Sequence, residues 1–341
     1  MCNLGVNYDT GLVFEGRSTR RSFDEDVARR ELEIIARDLG ATAVRISGSD
    51  LDRLSAAARL AAGLEVWFAP VVHGLEPDEL VAFLTEAARR AAALPGDPVL
   101  VLGCEISLFC NGFVPGDGLA GRVATMSGPA AWSDPATFAE LAAGLAKFKA
   151  TQREIAEAAR KVFPGRITYA AGMWEDVDWE LFDLVSIDAY RDAANAGNFA
   201  EQVRAYRRFG KPVAVTEFGC CTYRGAAERG GSGWLIVDER RTRVTGEYQR
   251  DEQEQVTYLR ELLDVFEAEG VDSAFWFSFA GFELPRREDP ERDLDLSAYG
   301  LVAVLENAYG TTYPDMRWEP KAVFAEFARR TSRKNERTSS T

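Results

Sequence analysis

The segment KPVAVTEFGCC, Lys211–Cys221, reads as a buried β-strand that ends in a carboxylate, Glu217. The chain then leaves the strand through Gly219 and enters a long polar loop. A strand-end carboxylate without a partner carries a large desolvation cost. The segment therefore predicts a buried strand that delivers an acid to a functional site.

Seven further runs of this kind, short, apolar and rich in β-branched or aromatic residues, occur along the chain: LGVNY, TAVRI, LEVWFAPVV, DPVLVLG, RITYAAGMW, FDLVSIDAY and VDSAFWFSF. Helix-like stretches separate these runs. One of them, residues 251–270, has apolar residues at helical spacing and ends at a glycine. Eight alternating strand and helix units predict an α/β fold of the (β/α)8 TIM-barrel type.

The predicted barrel is a single domain with long βα loops after strands 4, 7 and 8. No internal repeat and no linker rich in proline or serine indicates a second domain, so residues 1–330 are predicted to form one TIM-barrel catalytic domain. The last segment, TSRKNERTSST at residues 331–341, has almost nothing to bury and is predicted to be a disordered tail.

Composition and charge restrict the function. Hydrophobic residues make up 46% of the 341 residues and charged residues 28%, which is typical of a globular enzyme. The net charge of −14 would repel phosphate backbones and anionic lipids, so neither nucleic acid nor membrane is expected as a partner. The first residues lack the pattern of a signal peptide, which predicts a cytoplasmic protein. The sequence leaves the oligomeric state open.

Cofactor and metal chemistry have little support in the sequence. No dinucleotide or phosphate-loop motif is present, and the single histidine, His73, argues against a metallohydrolase. Four cysteines follow strands 4 and 7: Cys104, Cys110, Cys220 and Cys221. A thiolate zinc site and a Cys/His nucleophile pair therefore stay open as alternatives, but buried free thiols are favoured. We expect no cofactor and no metal.

Polar and aromatic residues collect where the predicted strands end. In a barrel these ends share the C-terminal face, where active sites are built. The residues in question are Asn7, Tyr8 and Asp9 on strand 1, Arg45 on strand 2, His73 on strand 3, Glu105 on strand 4, Trp174 on strand 5, Asp188 and Tyr190 on strand 6, Glu217 on strand 7 and Trp276 on strand 8. All except the two glutamates are predicted to bind substrate.

Two carboxylates on opposite sides of a barrel mouth are suited to cleavage of a glycosidic bond. One carboxyl group must protonate the leaving oxygen, while the other stays ionised to attack the anomeric carbon or to activate water. Glu105 and Glu217 are the candidates, and tryptophans on the rim could stack on sugar faces. The long loops at residues 111–135 and 220–250 are expected to wall the pocket and to supply Trp132 or Trp234.

Several short motifs resemble those of the clan A glycoside hydrolases, which are retaining enzymes on a (β/α)8 barrel. VTEFG resembles the nucleophile strand of that clan, FWFSF its strand-eight tryptophan, VRI its strand-two arginine and IDAY its strand-six tyrosine. The resemblance implies that Glu217 is the nucleophile and Glu105 the acid/base. The clan usually has asparagine directly before the acid/base, where it holds the sugar 2-hydroxyl, and this chain has Cys104.

A second resemblance concerns the segment GCEISLFCNGFVPGD, which is similar to actinobacterial proteins labelled abortive-infection proteins. The sequence thus predicts a retaining glycoside hydrolase that cleaves a small glycoside or oligosaccharide. The alternative is a non-hydrolytic carbohydrate-binding or phage-defence interaction protein on the same scaffold, which the departure at Cys104 favours.

Overall fold

A computed structural model describes residues 3–14, 16–129 and 133–338. Eight parallel strands form a closed barrel in chain order, and the first strand pairs with both the second and the eighth. The strands are β1 (Asn3–Asp9), β2 (Ala43–Gly48), β3 (Glu65–Pro70), β4 (Val99–Cys104), β5 (Ile167–Gly172), β6 (Val185–Asp188), β7 (Val213–Phe218) and β8 (Ser273–Trp276). The predicted (β/α)8 TIM barrel is confirmed.

The helices that cover and connect the strands are α1 (Glu25–Arg37), α2 (Leu51–Leu60), α3 (Pro77–Ala92), α4 (Ile106–Phe109), α5 (Gly118–Ser127), α6 (Pro135–Arg160), α7 (Phe199–Ala205), α8 (Glu252–Ala268) and α9 (Ala322–Thr338). Short 3-10 turns lie at Trp179–Leu181, Tyr206–Phe209, Ala226–Glu228, Gly230–Ser232 and Leu294–Ser297. Between β5 and β6 the connection has only the first of these turns in place of an α-helix. Two small hairpins add the strand pairs Val13–Phe14 with Arg17–Ser18 and Val302–Val304 with Trp318–Pro320.

The barrel has two apolar layers because successive side chains of a strand point to opposite faces. Inward-facing residues fill the barrel interior, where the rings of Trp67 and Phe275 lie 4.8 Å apart. Gly5 provides the space for this pair, since a Cβ atom on it would lie 2.6 Å from the Phe275 ring. Outward-facing residues pack against the helices. The polar residues at the strand ends therefore lie above a tightly filled core.

The long loops follow β4, β7 and β8, as the sequence predicted. The β4 loop contains α4 and α5, and the β8 loop contains the second hairpin. At the other end of the chain, α9 continues past the predicted domain boundary at residue 330 as far as Thr338. Thr331 is buried and donates a hydrogen bond of 2.6 Å to the Leu39 carbonyl. Within the described residues, no helix has the length and apolar character that crossing a membrane requires.

Candidate active site

Glu217 stands near the end of β7, and two hydrogen bonds hold its carboxylate. Arg45 Nη1 donates to Oε1 over 2.7 Å, and the Tyr190 hydroxyl donates to Oε2 over 3.0 Å. Arg45 also donates to the side-chain oxygen of Asn7 over 2.7 Å, and the Asn7 amide nitrogen lies 2.9 Å from the Thr216 carbonyl. Only 1% of the Arg45 side chain is exposed, against 14% for Glu217. The structure thus brings three predicted site residues, Arg45, Tyr190 and Asn7, together around the Glu217 carboxylate, which reaches solvent.

Glu105 follows β4 directly and has a different environment. Its backbone is in the left-handed region with φ of 45°, and its amide donates to the Ala170 carbonyl of the neighbouring strand β5 over 3.0 Å. Burial raises the pKa of its carboxyl group well above the ordinary value, and the charges of Asp188 and Glu217 raise it further. Both effects favour the protonated form of Glu105, which is the form that a general acid needs.

Cys104, the last residue of β4, lies between two carboxyl groups. Its thiol donates to Asp188 Oδ2 over 3.4 Å and lies 3.7 Å from Glu217 Oε1. Burial raises the pKa of the thiol well above its ordinary value, and the charges of Asp188 and Glu217 act in the same direction. The neutral thiol is a hydrogen-bond donor here, which argues against Cys104 as the thiolate of a Cys/His nucleophile pair.

The zinc alternative would need the cysteines that follow β4 and β7 to come together. All four of them are buried and free. Among the residues that the structure describes, the one group of three potential metal ligands is Cys104, Asp188 and Glu217, whose ligand atoms lie within 4.8 Å of one another. Arg45 already donates to the carboxylate of Glu217. The raised pKa of Cys104 favours the protonated thiol, which is a poor metal ligand. This trio is suited to a hydrogen-bonded cluster rather than to a thiolate metal site.

Glu175 is a site acid that the sequence reading missed. It follows β5 and accepts hydrogen bonds from the Ser107 amide at 3.1 Å, the Tyr169 hydroxyl at 2.9 Å and the Gly172 amide at 3.0 Å. Burial raises the pKa of Glu175 to about 7, although these hydrogen bonds oppose the shift. Its charge also raises the pKa of Glu105. The sequence feature that identifies Glu175 is its place directly after the predicted fifth strand, next to Trp174.

Trp174 and Asp9 stand at the ends of β5 and β1, on opposite sides of the barrel. The Trp174 indole packs against the backbone at Gly172 and remains 47% exposed, so its ring is free for contact with a ligand. Asp9 is partly buried and its Oδ1 accepts from the Gly11 amide over 2.7 Å. Burial raises the pKa of Asp9, and a hydrogen bond with Thr19 opposes this. Trp174 thus marks the β5 side of the mouth and Asp9 the β1 side.

His73 belongs to an aromatic cluster after β3. Its ring lies 5.2 Å from the Phe14 ring and 4.8 Å from the Phe109 ring, and its Nδ1 lies 3.0 Å from the Val13 carbonyl. Burial lowers the pKa of His73, which favours the neutral imidazole. The residue therefore connects loops around the mouth and is not held in contact with Glu217 or Glu105.

Comparison with solved structures gives matches along almost the whole chain. A GH113 β-1,4-mannanase has a TM-score of 0.62 at 14% identity, with 97% of this chain and 98% of that chain covered. The GH113 β-mannanase from Alicyclobacillus acidocaldarius, in complex with ManMIm, has a TM-score of 0.59 at 16% identity, with 91% and 92% covered. A calcium-binding mutant of Bacteroides uniformis β-glucuronidase 2 has a TM-score of 0.59 at 16% identity, with 96% and 34% covered.

The barrel resembles those of the clan A glycoside hydrolases. The likeness that the sequence motifs indicated is thereby confirmed at the level of the fold. Comparison with models of protein families gives no match, and neither does comparison with curated protein sequences.

Two of the predicted substrate contacts, Tyr8 from its place at a strand end and Trp276 also from the clan A resemblance, do not fit the structure. Tyr8 and Trp276 point outward from the barrel and are fully buried. The Tyr8 hydroxyl donates to Glu31 in α1 over 2.6 Å, and Trp276 Nε1 donates to the Tyr299 carbonyl over 2.9 Å. The strand period explains both placements, because Asn7 faces inward next to Tyr8 just as Phe275 does next to Trp276. Neither side chain is placed to bind a substrate.

Phe277, the residue after Trp276, is the next aromatic side chain beyond β8. It follows β8, is half-buried, and has the parity of the inward-facing Phe275. Its ring lies 5.7 Å from the Tyr299 ring, which in turn lies 6.0 Å from the ring of Tyr190. Counting alternate residues from Phe275 would have identified it. Of the two loop tryptophans, Trp132 lies outside the described residues, and Trp234 packs under a guanidinium group of the β7 loop.

Proposed function

We propose that this protein is a retaining glycoside hydrolase in which Glu217 is the nucleophile and Glu105 the acid/base. The observation that carries the proposal is the difference between the two carboxyl groups. Arg45 and Tyr190 donate to Glu217, whereas burial and neighbouring carboxylates raise the pKa of Glu105. A pair of acids with opposite environments is what acid-assisted displacement at a glycosidic centre requires, and the clan A likeness of the barrel supports the retaining form of it.

In the proposed reaction, one Glu217 oxygen attacks the anomeric carbon while Glu105 gives its proton to the leaving oxygen. The C–O bond to the leaving group breaks and a glycosyl ester of Glu217 forms. Glu105, now ionised, removes a proton from water, and the resulting attack on the anomeric carbon releases the sugar and restores both acids. Arg45 and Tyr190 fix the orientation of Glu217 and stabilise its charge before attack and after release.

The proposed substrate is a carbohydrate with a β-glycosidic bond. Low-identity solved structures of the same fold are described as β-mannanases, a putative β-galactosidase, a β-galacturonidase and a β-glucuronidase. These names support a β-linked hexose or hexuronic acid as the first class to examine. The exposed indole of Trp174 offers a stacking surface for such a sugar.

The second candidate is carbohydrate binding without hydrolysis. The observation that favours it is Cys104, because a thiol is a weak donor and stands 3.7 Å from Glu217 Oε1. A protein of this kind would bind the same sugars with Glu105 and Glu217 acting only as hydrogen-bonding groups.

A panel of aryl β-glycosides tests the choice between the two. Release of the phenol is expected from at least one glycoside, with loss of activity in Glu217→Gln, because the amide cannot form the ester intermediate. Glu154→Gln is the matched control, since Glu154 is an exposed residue of α6. If a sugar binds by calorimetry and none of its aryl glycosides is cleaved, the binding function is the correct one.

A further inference from the structure

The loop after β7 passes the β8 loop along the rim of the barrel and contacts the loop after β1. Within it, Val237 pairs with Val244 in a tight hairpin whose tip residue Arg241 has φ of 49°. A non-glycine residue in the left-handed region is uncommon and persists only where surrounding contacts fix it. The tip meets the hairpin after β1, where the Arg17 guanidinium donates to the Arg240 carbonyl.

Arg241 fastens three loops to one another. Its guanidinium lies 2.7 Å from Glu283 in the β8 loop, 5.8 Å from the ring centre of Phe14 in the β1 loop and 5.2 Å from that of Trp234 in its own loop. The ion pair is shielded, with side-chain exposures of 23% for Arg241 and 15% for Glu283. A partly buried ion pair with two cation–π contacts holds the loops more firmly than a surface pair would.

The same contacts continue around the mouth. Phe14 packs edge-on against His73 of the β3 loop and, at 6.1 Å, against Phe109 of α4 in the β4 loop. The β2 loop joins through Ser49, whose hydroxyl accepts from the Val13 amide and donates to a β3-loop carbonyl. We call this continuous set of contacts, from Trp234 through Arg241 and Phe14 to Phe109, the wall.

The wall stands one step above the layer of the catalytic acids. Asp9 lies two residues beyond Asn7 on β1, which is about 7 Å along a strand. Asp9 interacts electrostatically with Glu283, the partner of Arg241. Asn7 itself is hydrogen-bonded to the Arg45 guanidinium that holds Glu217. On the β1 side of the mouth, the wall therefore begins just beyond the Asn7, Arg45 and Glu217 cluster.

The opposite side of the mouth carries a short loop. The connection from β5 to β6 spans only residues 173–184, and Trp174 projects from it into solvent. β5 is the neighbour of β4, whose end carries Glu105. Because the acid must reach the leaving-group oxygen, the leaving group has to lie on the Glu105 side, and so towards Trp174.

We propose, as a step that rests on the proposed function, that the enzyme acts at the non-reducing end of its substrate. The terminal sugar occupies the space between Glu217 and the wall, and the rest of the chain leaves across Trp174. A longer chain cannot extend in both directions because the wall closes the mouth at the β8 and β1 loops, across the barrel from β5 and Trp174. Each cycle consumes one water molecule, breaks one glycosidic bond and releases the terminal sugar from the non-reducing end.

The test uses β-1,4-linked mannohexaose and glucohexaose reduced at their reducing ends, each also in a form with a 4,6-O-benzylidene block on the non-reducing terminal sugar. The expected first product is the monosaccharide from the non-reducing end, and the block should lower the rate by at least about a hundredfold through steric exclusion. Equal rates on blocked and free chains, or internal fragments as first products, would overturn the inference.

The Arg241→Ala variant locates the effect in the wall. Loss of the Arg241 side chain loosens the wall and relieves the steric barrier. The ratio of the rate on blocked chains to the rate on free chains should therefore rise by about tenfold or more. Arg243→Ala on the same hairpin is the control, because that side chain is 68% exposed, and its ratio should equal that of the wild type. If Arg241→Ala does not fold, Glu283→Gln removes the charge of the same ion pair and should change the ratio in the same direction.

Assays with aryl glycosides distinguish failure of the chain-end inference from failure of the proposed hydrolase activity. Turnover of an aryl glycoside together with unhindered cleavage of blocked chains overturns only the chain-end inference. Absence of turnover with every aryl glycoside and every hexaose overturns the proposed function and the inference with it.

Discussion

Asp188 and Glu217 are paired across β6 and β7, and the Cys104 thiol connects their carboxyl groups at 3.4 Å and 3.7 Å. Burial raises the pKa of Asp188 well above its ordinary value, and the charge of Glu217 raises it further. Acids coupled this closely lose their protons in steps that belong to the group, so removing one acid lowers the apparent pKa of the others. In the proposed reaction, Asp188 would act on Glu105 through its charge, as a positioning residue.

The Asp188→Asn variant is expected to shift the pH profile. Loss of the Asp188 charge lowers the pKa of Glu105, and a general acid is active only while protonated, so the alkaline limb of kcat/KM should move to lower pH. A purely structural role would lower kcat and leave the limb in place. The control is Asp176→Asn, an acid of the β5 loop that is 82% exposed. Superimposable profiles for wild type and Asp188→Asn would contradict this role.

The Glu105→Ala variant should retain one half of the reaction. An aryl glycoside with an activated leaving group needs little protonation, so its glycosylation step should survive, while deglycosylation slows by about 100-fold or more without a general base. Azide, which attacks without deprotonation, should restore turnover and give a glycosyl azide of retained configuration. Product analysis by NMR shows the configuration. Inverted product, or no response to azide, would argue against Glu105 as the acid/base.

Glu175 should make the protein less stable as pH rises. Its pKa is about 7 in the fold against an ordinary value of 4.5, so the folded state binds the proton more tightly. Stability from this group is complete below about pH 4.5 and is lost as pH rises towards 7, by at most about 3 kcal/mol. Urea unfolding at pH 5 and pH 8 should therefore show a smaller difference in Glu175→Gln than in wild type.

The matched control for this effect is Glu180→Gln, in the 3-10 turn that follows Glu175 and with a side chain that is 81% exposed. It should leave the pH dependence unchanged. Glu105 and Asp188 also have raised pKa values and contribute in the same direction, so part of the dependence should persist in Glu175→Gln. An identical pH dependence of stability in wild type and Glu175→Gln would show that Glu175 does not contribute to it.

Sequence period alone was enough to find the barrel, because each strand is a short apolar run buried on both faces. It also placed Arg45, Tyr190 and Glu217 together, since strand ends share one face of a barrel. The prediction was wrong for Tyr8, which faces outward. A residue at a strand end faces inward or outward according to its position in the alternation, and the position of the strand end alone does not decide this. The ion pair of Arg241 with Glu283 joins two long loops through tertiary packing, which no local pattern encodes.

The last prediction compares Phe277, which is half-buried, with Trp276, which is fully buried. Phe277→Ala should raise KM for a cleaved aryl glycoside by about tenfold, because a half-buried inward ring is lost, with a small effect on unfolding. Trp276→Phe should instead lower the free energy of unfolding by about 1–3 kcal/mol, since it removes the bond to the Tyr299 carbonyl and leaves a void, while KM stays unchanged. Phe138→Ala, 52% exposed on α6, should change neither quantity. Urea unfolding and steady-state kinetics measure both. An increase in KM for Trp276→Phe with none for Phe277→Ala would return the sugar contact to Trp276.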